Sequence, residues 1–211
     1  MNPIFALCDL QFPQTGAVEF RYSIQHGDLN ARNVLLPYDE PTTERPALID
    51  FEKTRESSAL LNLCYLACFI LEASRSNKLG DGGYWKQVPG AFVKSICEKN
   101  GDSELDHGSW QLALNQNVVL FSQIWSTAKS PEEINSLSMQ LRLTLGLTAM
   151  LRCYYEVRSF HNMKKSDLDE VTFWSRLYFR IAAIAFQPVL KPVDPADMPI
   201  TNVTHDMVDF L

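Results

Sequence analysis

The spacing of hydrophobic and polar positions changes near residue 57, from short apolar runs to helical repeats. Before that point, two brief apolar runs at 34–36 and 47–49 flank a polar, proline-containing turn over 37–46. This pattern is typical of a β-hairpin with a long loop. The looser alternation over 18–24 fits either a short strand or a plain connector. The first part of the chain is therefore predicted to carry a small amount of β-structure.

Beyond residue 57 the apolar positions recur three and four apart, which predicts helices. The first of them, capped by Ser57 or Ser58, is apolar on nearly every side and is expected at the centre of a domain. Ser130, Pro131 and two acids form a start signal for another, with a serine cap and a proline at the first helical position. The predicted helices cover residues 59–74, 88–99, 110–128, 131–155 and 171–186.

Polar groups with possible chemistry concentrate in HGDLNARN, residues 26–33, which we call the 26–33 loop. Asn33 stands just before the first strand of the predicted hairpin, and Asp50 ends the second. Both side chains should therefore emerge at one end of the hairpin, close to Asp28. Three oxygen-bearing groups suit a hard cation whose remaining ligands are phosphate oxygens. The alternative is an ordinary hairpin whose Asp and Asn side chains satisfy the backbone of the turn.

The order His-x-Asp, four residues, Asn, and then Asp-Phe after a hairpin resembles the catalytic segment of protein-kinase-like phosphotransferases. The forms His-Gly-Asp and Ile-Asp-Phe are those of the aminoglycoside phosphotransferase and choline kinase-like enzymes. The resemblance implies that Asp28 accepts the proton of an attacking hydroxyl. It implies that Asn33 and Asp50 bind the cofactors, Mg²⁺ and ATP, as the metal ligands. His26 would brace the loop without moving a proton.

The same resemblance implies the fold class: α+β, mostly α, a protein-kinase-like C-terminal lobe with a short catalytic β-hairpin and about five helices. An N-terminal connector is expected over 1–22 and a proline-rich extended tail over 188–211. The lobe would occupy 23–187, with the catalytic loop and hairpin over 24–54 and the helical part over 57–187.

The strings HGDLNARNVLL and LIDFEKT are similar in wording to the ternary-complex-associated domain of bacterial conflict and signalling systems. Many relatives carry an aspartate at the position of Asn62, so a charge that braces the catalytic loop is expected to be lost here. Glu52 replaces the glycine that follows Asp-Phe in protein kinases, which predicts a rigid loop. Lys53 and Arg55 are candidates for neutralising phosphate, with solvated surface charge as the alternative.

A kinase-like enzyme also needs an N-terminal lobe with a glycine-rich strand-turn and a strand lysine. The 25 residues before His26 contain no lysine and one glycine, Gly16. We therefore expect the N-lobe to be absent from this polypeptide. It would then come from a longer protein or from a separate partner domain, unless the domain no longer transfers phosphate.

Composition narrows the function classes. A net charge of −6 with no basic block argues against a nucleic-acid binder. The five cysteines include no Cys-x-x-Cys pair, and Cys64 and Cys68 in an apolar helix favour buried thiols in a reducing, cytoplasmic setting. The chain shows neither a signal peptide nor a run of 18 apolar residues, so no membrane partner is expected.

Two functions remain open at this stage. One is an ATP-dependent phosphotransferase, or kinase, that acts on a hydroxyl-bearing small molecule or protein. The other is a catalytically inactive, kinase-like regulatory or interaction module of a multidomain bacterial signalling or conflict system. Core packing explains the aromatic residues of the helices better than a stacking site does. These residues are Trp125, Tyr154, Tyr155, Phe173, Trp174, Tyr178 and Phe179.

Overall fold

The structure is a computed structural model that describes residues 21–35, 46–74, 84–101, 108–159 and 168–187. Within these ranges the short strands come first and are β1 Tyr22–Gln25, β2 Val34–Leu35, β3 Ala47–Leu48 and β4 Arg55–Ser58. The helices follow and are α1 Leu61–Ala73, α2 Tyr84–Cys97, α3 Gly108–Trp125, α4 Pro131–Ser159 and α5 Leu168–Phe186. The described chain is thus α+β and mostly α, as predicted. The predicted tail over 188–211 and most of the predicted connector lie outside the described residues.

The strands form two antiparallel pairs. β2 pairs with β3, Val34 opposite Leu48, which confirms the two strands of the predicted hairpin. β1 pairs with β4, Tyr22 opposite Ser58, so the described end of the 18–24 segment is a strand. β4 was not predicted. Because it pairs with β1, the 26–33 loop and both hairpin strands lie in the segment of chain that connects β1 to β4.

The predicted cap of α1 is wrong. Ser58 has extended backbone because it belongs to β4, and α1 begins only at Leu61. The Ser58 hydroxyl instead lies 3.3 Å from the Leu60 backbone N–H, which donates to it, and 3.1 Å from the hydroxyl of Thr144 on α4. These contacts join the strands to the helices.

The predicted central position of α1 is confirmed. Its residues Cys64, Ala67, Cys68 and Leu71 have no exposed surface. Burial raises the pKa of the Cys68 thiol to about 12, as expected for an inert structural cysteine. The helix packs mainly on α3 and α4. The other helices contribute large, fully buried side chains to the core, which include Phe92, Phe121, Leu141, Leu145, Tyr178 and Ile181.

The start of α4 follows the predicted signal. Pro131 is its first residue, and the Ser130 hydroxyl accepts a hydrogen bond of 3.2 Å from the Glu133 N–H. The Glu133 carboxylate accepts in turn from the N–H groups of Lys129, at 2.7 Å, and Ser130, at 3.1 Å. This is a capping box, in which serine and glutamate satisfy each other's orphan backbone donors.

Helix limits differ from the predicted ones by a few residues. α2 begins at Tyr84 instead of Val88, and α4 continues to Ser159 beyond the predicted end at 155. The apolar repeat marks only the buried face of a helix, whereas exposed polar turns extend it. No helix in the described ranges is both long enough and apolar enough to cross a membrane.

Candidate active site

His26 joins the 26–33 loop to the end of the hairpin. Its Nε2 lies 2.7 Å from the carbonyl oxygen of Ile49, the residue before Asp50. Because a carbonyl oxygen can only accept, Nε2 carries the hydrogen of this contact. The buried ring also packs against Phe51, with the ring centres 4.9 Å apart. His26 therefore links the 26–33 loop to the end of the hairpin and to Phe51.

Gly27 is the point of closest approach between the loop and the turn Phe51–Lys53, which we call the 51–53 turn. Its φ of +81° lies in the left-handed region that favours glycine. A Cβ atom here would lie 2.2 Å from the backbone oxygen of Lys53. The two backbones can therefore meet only because residue 27 has no side chain.

Asn62, in the first turn of α1, supports the loop from the helical side. Its side-chain oxygen accepts a hydrogen bond of 3.1 Å from the Gly27 N–H. Its own backbone N–H donates to the side-chain oxygen of Gln25 at 3.3 Å. The expected loss of a bracing charge leaves the bracing contact in place, because an amide oxygen accepts as a carboxylate would.

The carboxylate of Asp28 is in contact with a cation. Its Oδ2 lies 2.7 Å from the Nζ of Lys53, and its Oδ1 accepts from the Asn30 side-chain amide at 3.3 Å. The backbone carbonyl of Asp28 accepts from the side-chain amide of Asn33 at 2.9 Å. Both the loop backbone and the carboxylate are thereby held in place.

Asn33 and Asp50 lie at the same end of the hairpin, as predicted. The Ile49 N–H donates to the Asn33 carbonyl oxygen at 3.0 Å, one residue before Asp50. Asp50 has a left-handed backbone, with φ of 63° and ψ of 61°, and is exposed. Asparagine and aspartate are the non-glycine residues that adopt this conformation most readily. The structure thus brings the Asn33 side chain into contact with Asp28 and pairs the Asn33 backbone with Ile49, the residue before Asp50.

The donor set of this end fits a magnesium ion that also binds phosphate. The Asn33 amide nitrogen is used by the Asp28 carbonyl, which leaves the amide oxygen as its ligand atom. Mg²⁺ commonly uses one or two carboxylates, with phosphate oxygens and water completing its shell. Asp50 would supply the carboxylate, and the Asn33 amide oxygen would supply a second ligand. The described residues contain no cluster of three or more His, Cys, Asp or Glu that could hold an ion by itself.

The charges at the site favour an ionised Asp28. Burial alone would raise its pKa, but the hydrogen bond and charge of Lys53, with smaller contributions from Asn30 and Arg152, outweigh burial and hold the pKa below its usual value. The hydrogen bond to Asp28 raises the pKa of Lys53, although burial opposes it. Both partners are therefore charged at neutral pH.

Sequence reasoning missed the surroundings that α4 provides. The Lys53 ammonium lies 5.7 Å from the ring centre of Tyr155, and Arg152 donates a hydrogen bond to Glu72 of α1. Tyr178 of α5 donates to the same Glu72 oxygen. A single acid at the end of the apolar α1 was the available signal, because buried carboxylates are almost always paired.

Core packing holds for some of the aromatic residues and fails for others. Trp125, Trp174 and Tyr178 are buried, as predicted. Tyr154 and Tyr155 are not core residues, since 56% and 40% of their surfaces are exposed. The apolar spacing on α4 does not separate its buried face from the face beside the 51–53 turn.

Comparison with protein families gives a match over this site. Residues 20–60 match the model of the Lipopolysaccharide kinase (Kdo/WaaP) family. No curated protein and no solved structure matches the chain. The matched segment runs from β1 to the end of β4, so the candidate site lies wholly within the part of the chain that is similar to this kinase family. The described architecture is accordingly that of a kinase-like C-terminal lobe. The similarity to the ternary-complex-associated domain stays a prediction.

Proposed function

We propose that this chain carries the catalytic segment of a phosphotransferase that moves the terminal phosphoryl group of ATP onto a hydroxyl-bearing acceptor. The observation that carries the proposal is the contact of Asn33 with the backbone of Asp28, at 2.9 Å, beside a hairpin end that presents Asp50. Asp28 is the base in this proposal. Asn33 and Asp50 are the ligands of Mg²⁺ and thereby of the nucleotide.

These groups account for every bond and proton in the proposed reaction. The acceptor oxygen forms a bond to the terminal phosphorus, the bond from that phosphorus to the leaving oxygen of ADP breaks, and the acceptor proton passes to the Asp28 carboxylate. Bound Mg²⁺ would neutralise charge on the phosphate oxygens. Because its pKa is held low, Asp28 is ionised at neutral pH and can accept a hydroxyl hydrogen bond.

His26, Asn62 and Gly27 position the loop that carries Asp28 in this proposal. His26 has its Nε2 hydrogen bonded to the Ile49 carbonyl, so it braces the loop in this proposal and moves no proton. The hydrogen bond between Asn62 and Gly27 holds the 26–33 loop against the first turn of α1. Catalysis of phosphoryl transfer rests mainly on positioning and charge neutralisation, which suits a site of this kind.

A second candidate function is a regulatory or interaction module, and apolar exposure beside the site favours it. Ile24 is 78% exposed and Phe51 is 55% exposed. Clusters of exposed apolar side chains are typical of surfaces that meet another protein. The others near the hairpin are Tyr22, Leu35, Leu48 and Ile49. A separate N-lobe or partner domain covering this surface is compatible with either function.

Calorimetric titration with Mg-ATP tests the proposal. We expect the wild-type chain to bind, and Asp50→Asn to lose at least about tenfold in affinity, because a charged ligand is removed. Asparagine tolerates the left-handed backbone at residue 50, so this variant is expected to fold, unlike a strained Asp50→Ala. Glu52→Gln is the matched control, since it removes an equal charge two residues away.

A further pair of outcomes separates the two functions. Asp28→Asn should retain Mg-ATP binding and lose slow ATP hydrolysis, in which water replaces the acceptor. A folded wild-type chain that binds no Mg-ATP would contradict a self-sufficient phosphotransferase and leave the interaction module as the function.

A further inference from the structure

The Lys53 ammonium binds the Asp28 oxygen Oδ2, which Asp28 would need if it acted as a base. Asp28 has two carboxylate oxygens, and the Lys53 ammonium lies 2.7 Å from Oδ2, while Asn30 lies 3.3 Å from Oδ1. A general base must bring a carboxylate oxygen within about 2.6–3.2 Å of the acceptor hydroxyl. With Lys53 in this position, the acceptor competes with an ammonium group for Asp28.

The backbone of Lys53 is fixed, whereas its ammonium group is not. The Lys53 carbonyl lies against Gly27, and the 51–53 turn is closed by a 3.0 Å hydrogen bond from the Thr54 N–H to the Phe51 oxygen. The Lys53 side chain itself is 50% exposed. A lysine ammonium on a flexible four-carbon stem can therefore turn about a stationary Cα.

The other groups around Asp28 are less able to move. Arg152 of α4 is the second cation acting on Asp28, but its guanidinium is hydrogen bonded to Glu72 and lies 5.8 Å from the ring centre of Tyr178. Tyr65 of α1, whose pKa the charge of Asp28 helps to raise, is buried. Of the two cations, Lys53 has the more exposed side chain, at 50% against 23% for Arg152.

Lys53 also lies three residues after Asp50, and Asp50 and Tyr155 both act on its charge. A nucleotide whose phosphates are held through Asp50 would bring several negative charges beside the 51–53 turn. Phosphate oxygens attract a lysine ammonium as a point charge.

We propose that Lys53 is a positioning residue that holds the Asp28 carboxylate in the free protein and turns to the phosphates of the bound nucleotide, which releases Asp28 Oδ2 for the acceptor hydroxyl. This inference rests on the proposed phosphotransferase function. It adds to that function an order of events, in which the nucleotide prepares the base before the acceptor binds. No covalent bond is made or broken at Lys53.

The test compares Lys53→Met, Lys53→Arg and Arg55→Gln. Methionine keeps most of the stem and removes the charge, arginine restores a charge, and Arg55→Gln removes an exposed cation two residues away. The first measurement is a carbon-detected NMR titration of the Asp28 carboxyl in the nucleotide-free protein. We expect the Asp28 pKa to rise in Lys53→Met, and to stay low in the other two variants.

The second measurement is titration with the magnesium complex of a non-hydrolysable ATP analogue. We expect the NMR signal of the Lys53 terminal methylene to move on binding, and Lys53→Met to weaken binding roughly tenfold, with recovery in Lys53→Arg. Unchanged affinity in Lys53→Met, together with loss of binding in Asp50→Asn, would overturn the Lys53 proposal and leave the proposed function standing. Absence of binding by the wild-type chain would overturn both.

Discussion

The side-chain oxygen of Asn62 lies 3.1 Å from the backbone nitrogen of Gly27, so the first turn of α1 holds the loop that carries Asp28. The Gly27 N–H is buried and has this oxygen as its acceptor. The residue at which a bracing charge was expected to be lost is therefore the residue that supports the loop.

Replacing Asn62 with alanine should lower the free energy of unfolding by about 1–3 kcal/mol, because a buried N–H loses its acceptor. Asn62→Asp keeps an oxygen in reach and should lose less than half as much. Urea denaturation at neutral pH measures both. Equal losses in the two variants would show that the contact with Gly27 does not support the loop.

A methyl group at Gly27 should be more harmful than one at another glycine. Gly27→Ala combines a left-handed φ with a Cβ 2.2 Å from a backbone oxygen, and we expect it to cost at least about 2 kcal/mol of folding free energy. Gly90 lies inside α2 with nothing within 4 Å of its Cβ position. Gly90→Ala should stabilise the protein by about 0.5–1 kcal/mol. Thermal or urea unfolding of the pair provides the comparison, and a neutral Gly27→Ala would refute the close approach.

The carboxylate of Glu72 should matter more than the one on an exposed pair. Glu72→Ala leaves Arg152 and the fully buried Tyr178 without their shared acceptor, which we expect to cost about 3 kcal/mol. Glu98 meets Arg142 at 3.3 Å with 46% of its side chain exposed, so Glu98→Ala should change stability by less than about 0.5 kcal/mol. Chemical denaturation distinguishes the two, and similar effects would mean that the Glu72 contacts contribute little.

The ion pair of Asp28 with Lys53 predicts a particular pH dependence. The Asp28 pKa is lowered from 3.8, so its contribution to stability is present above 3.8 and is lost as the pH falls through the lower folded value. The Lys53 pKa is raised from 10.5, so its contribution is present below 10.5 and is lost as the pH rises through the higher folded value.

The stability difference between the wild type and Lys53→Met should therefore be constant between about pH 5 and pH 9 and shrink on both sides. Because half of the Lys53 side chain is exposed, its size should be about 1 kcal/mol or less. Urea midpoints measured across the acid range test this. A difference that persists unchanged at acid pH would indicate lost packing instead of lost charge.

Features that depend on neighbouring residues were predictable from the sequence. Pro131 begins α4 because Ser130 and Glu133 satisfy the donors of its first turn, and all of these lie within four positions. The grouping of Asn33 and Asp50 was predictable for a similar reason. Hairpin strands are paired by the turn between them, so their ends coincide.

Features that depend on distant residues were not predictable. Ser58 was taken for a helix cap because its strand partner, Tyr22, lies far back in the chain and carries no matching pattern. Lys53 reaches Asp28 across 25 positions, and Tyr155 approaches Lys53 from α4. The motif residues could be named from the sequence, but the contact of Lys53 with Asp28 follows only from the fold, and the approach of Arg152 only from the packing of α4. The roles of His26, Asp28, Asn33 and Asp50 stay predictions.

The 26–33 loop and the 51–53 turn are joined at the level of the backbone, through Gly27 against Lys53 and through Asn33 to Ile49. Close-packed backbones of this kind transmit displacement instead of absorbing it. The backbone segments that carry Asp28 and Asp50 therefore form one rigid unit. In the proposed reaction, any rearrangement would therefore fall to side chains such as Lys53 and to the bound molecules, because the backbone on both sides of the site is held.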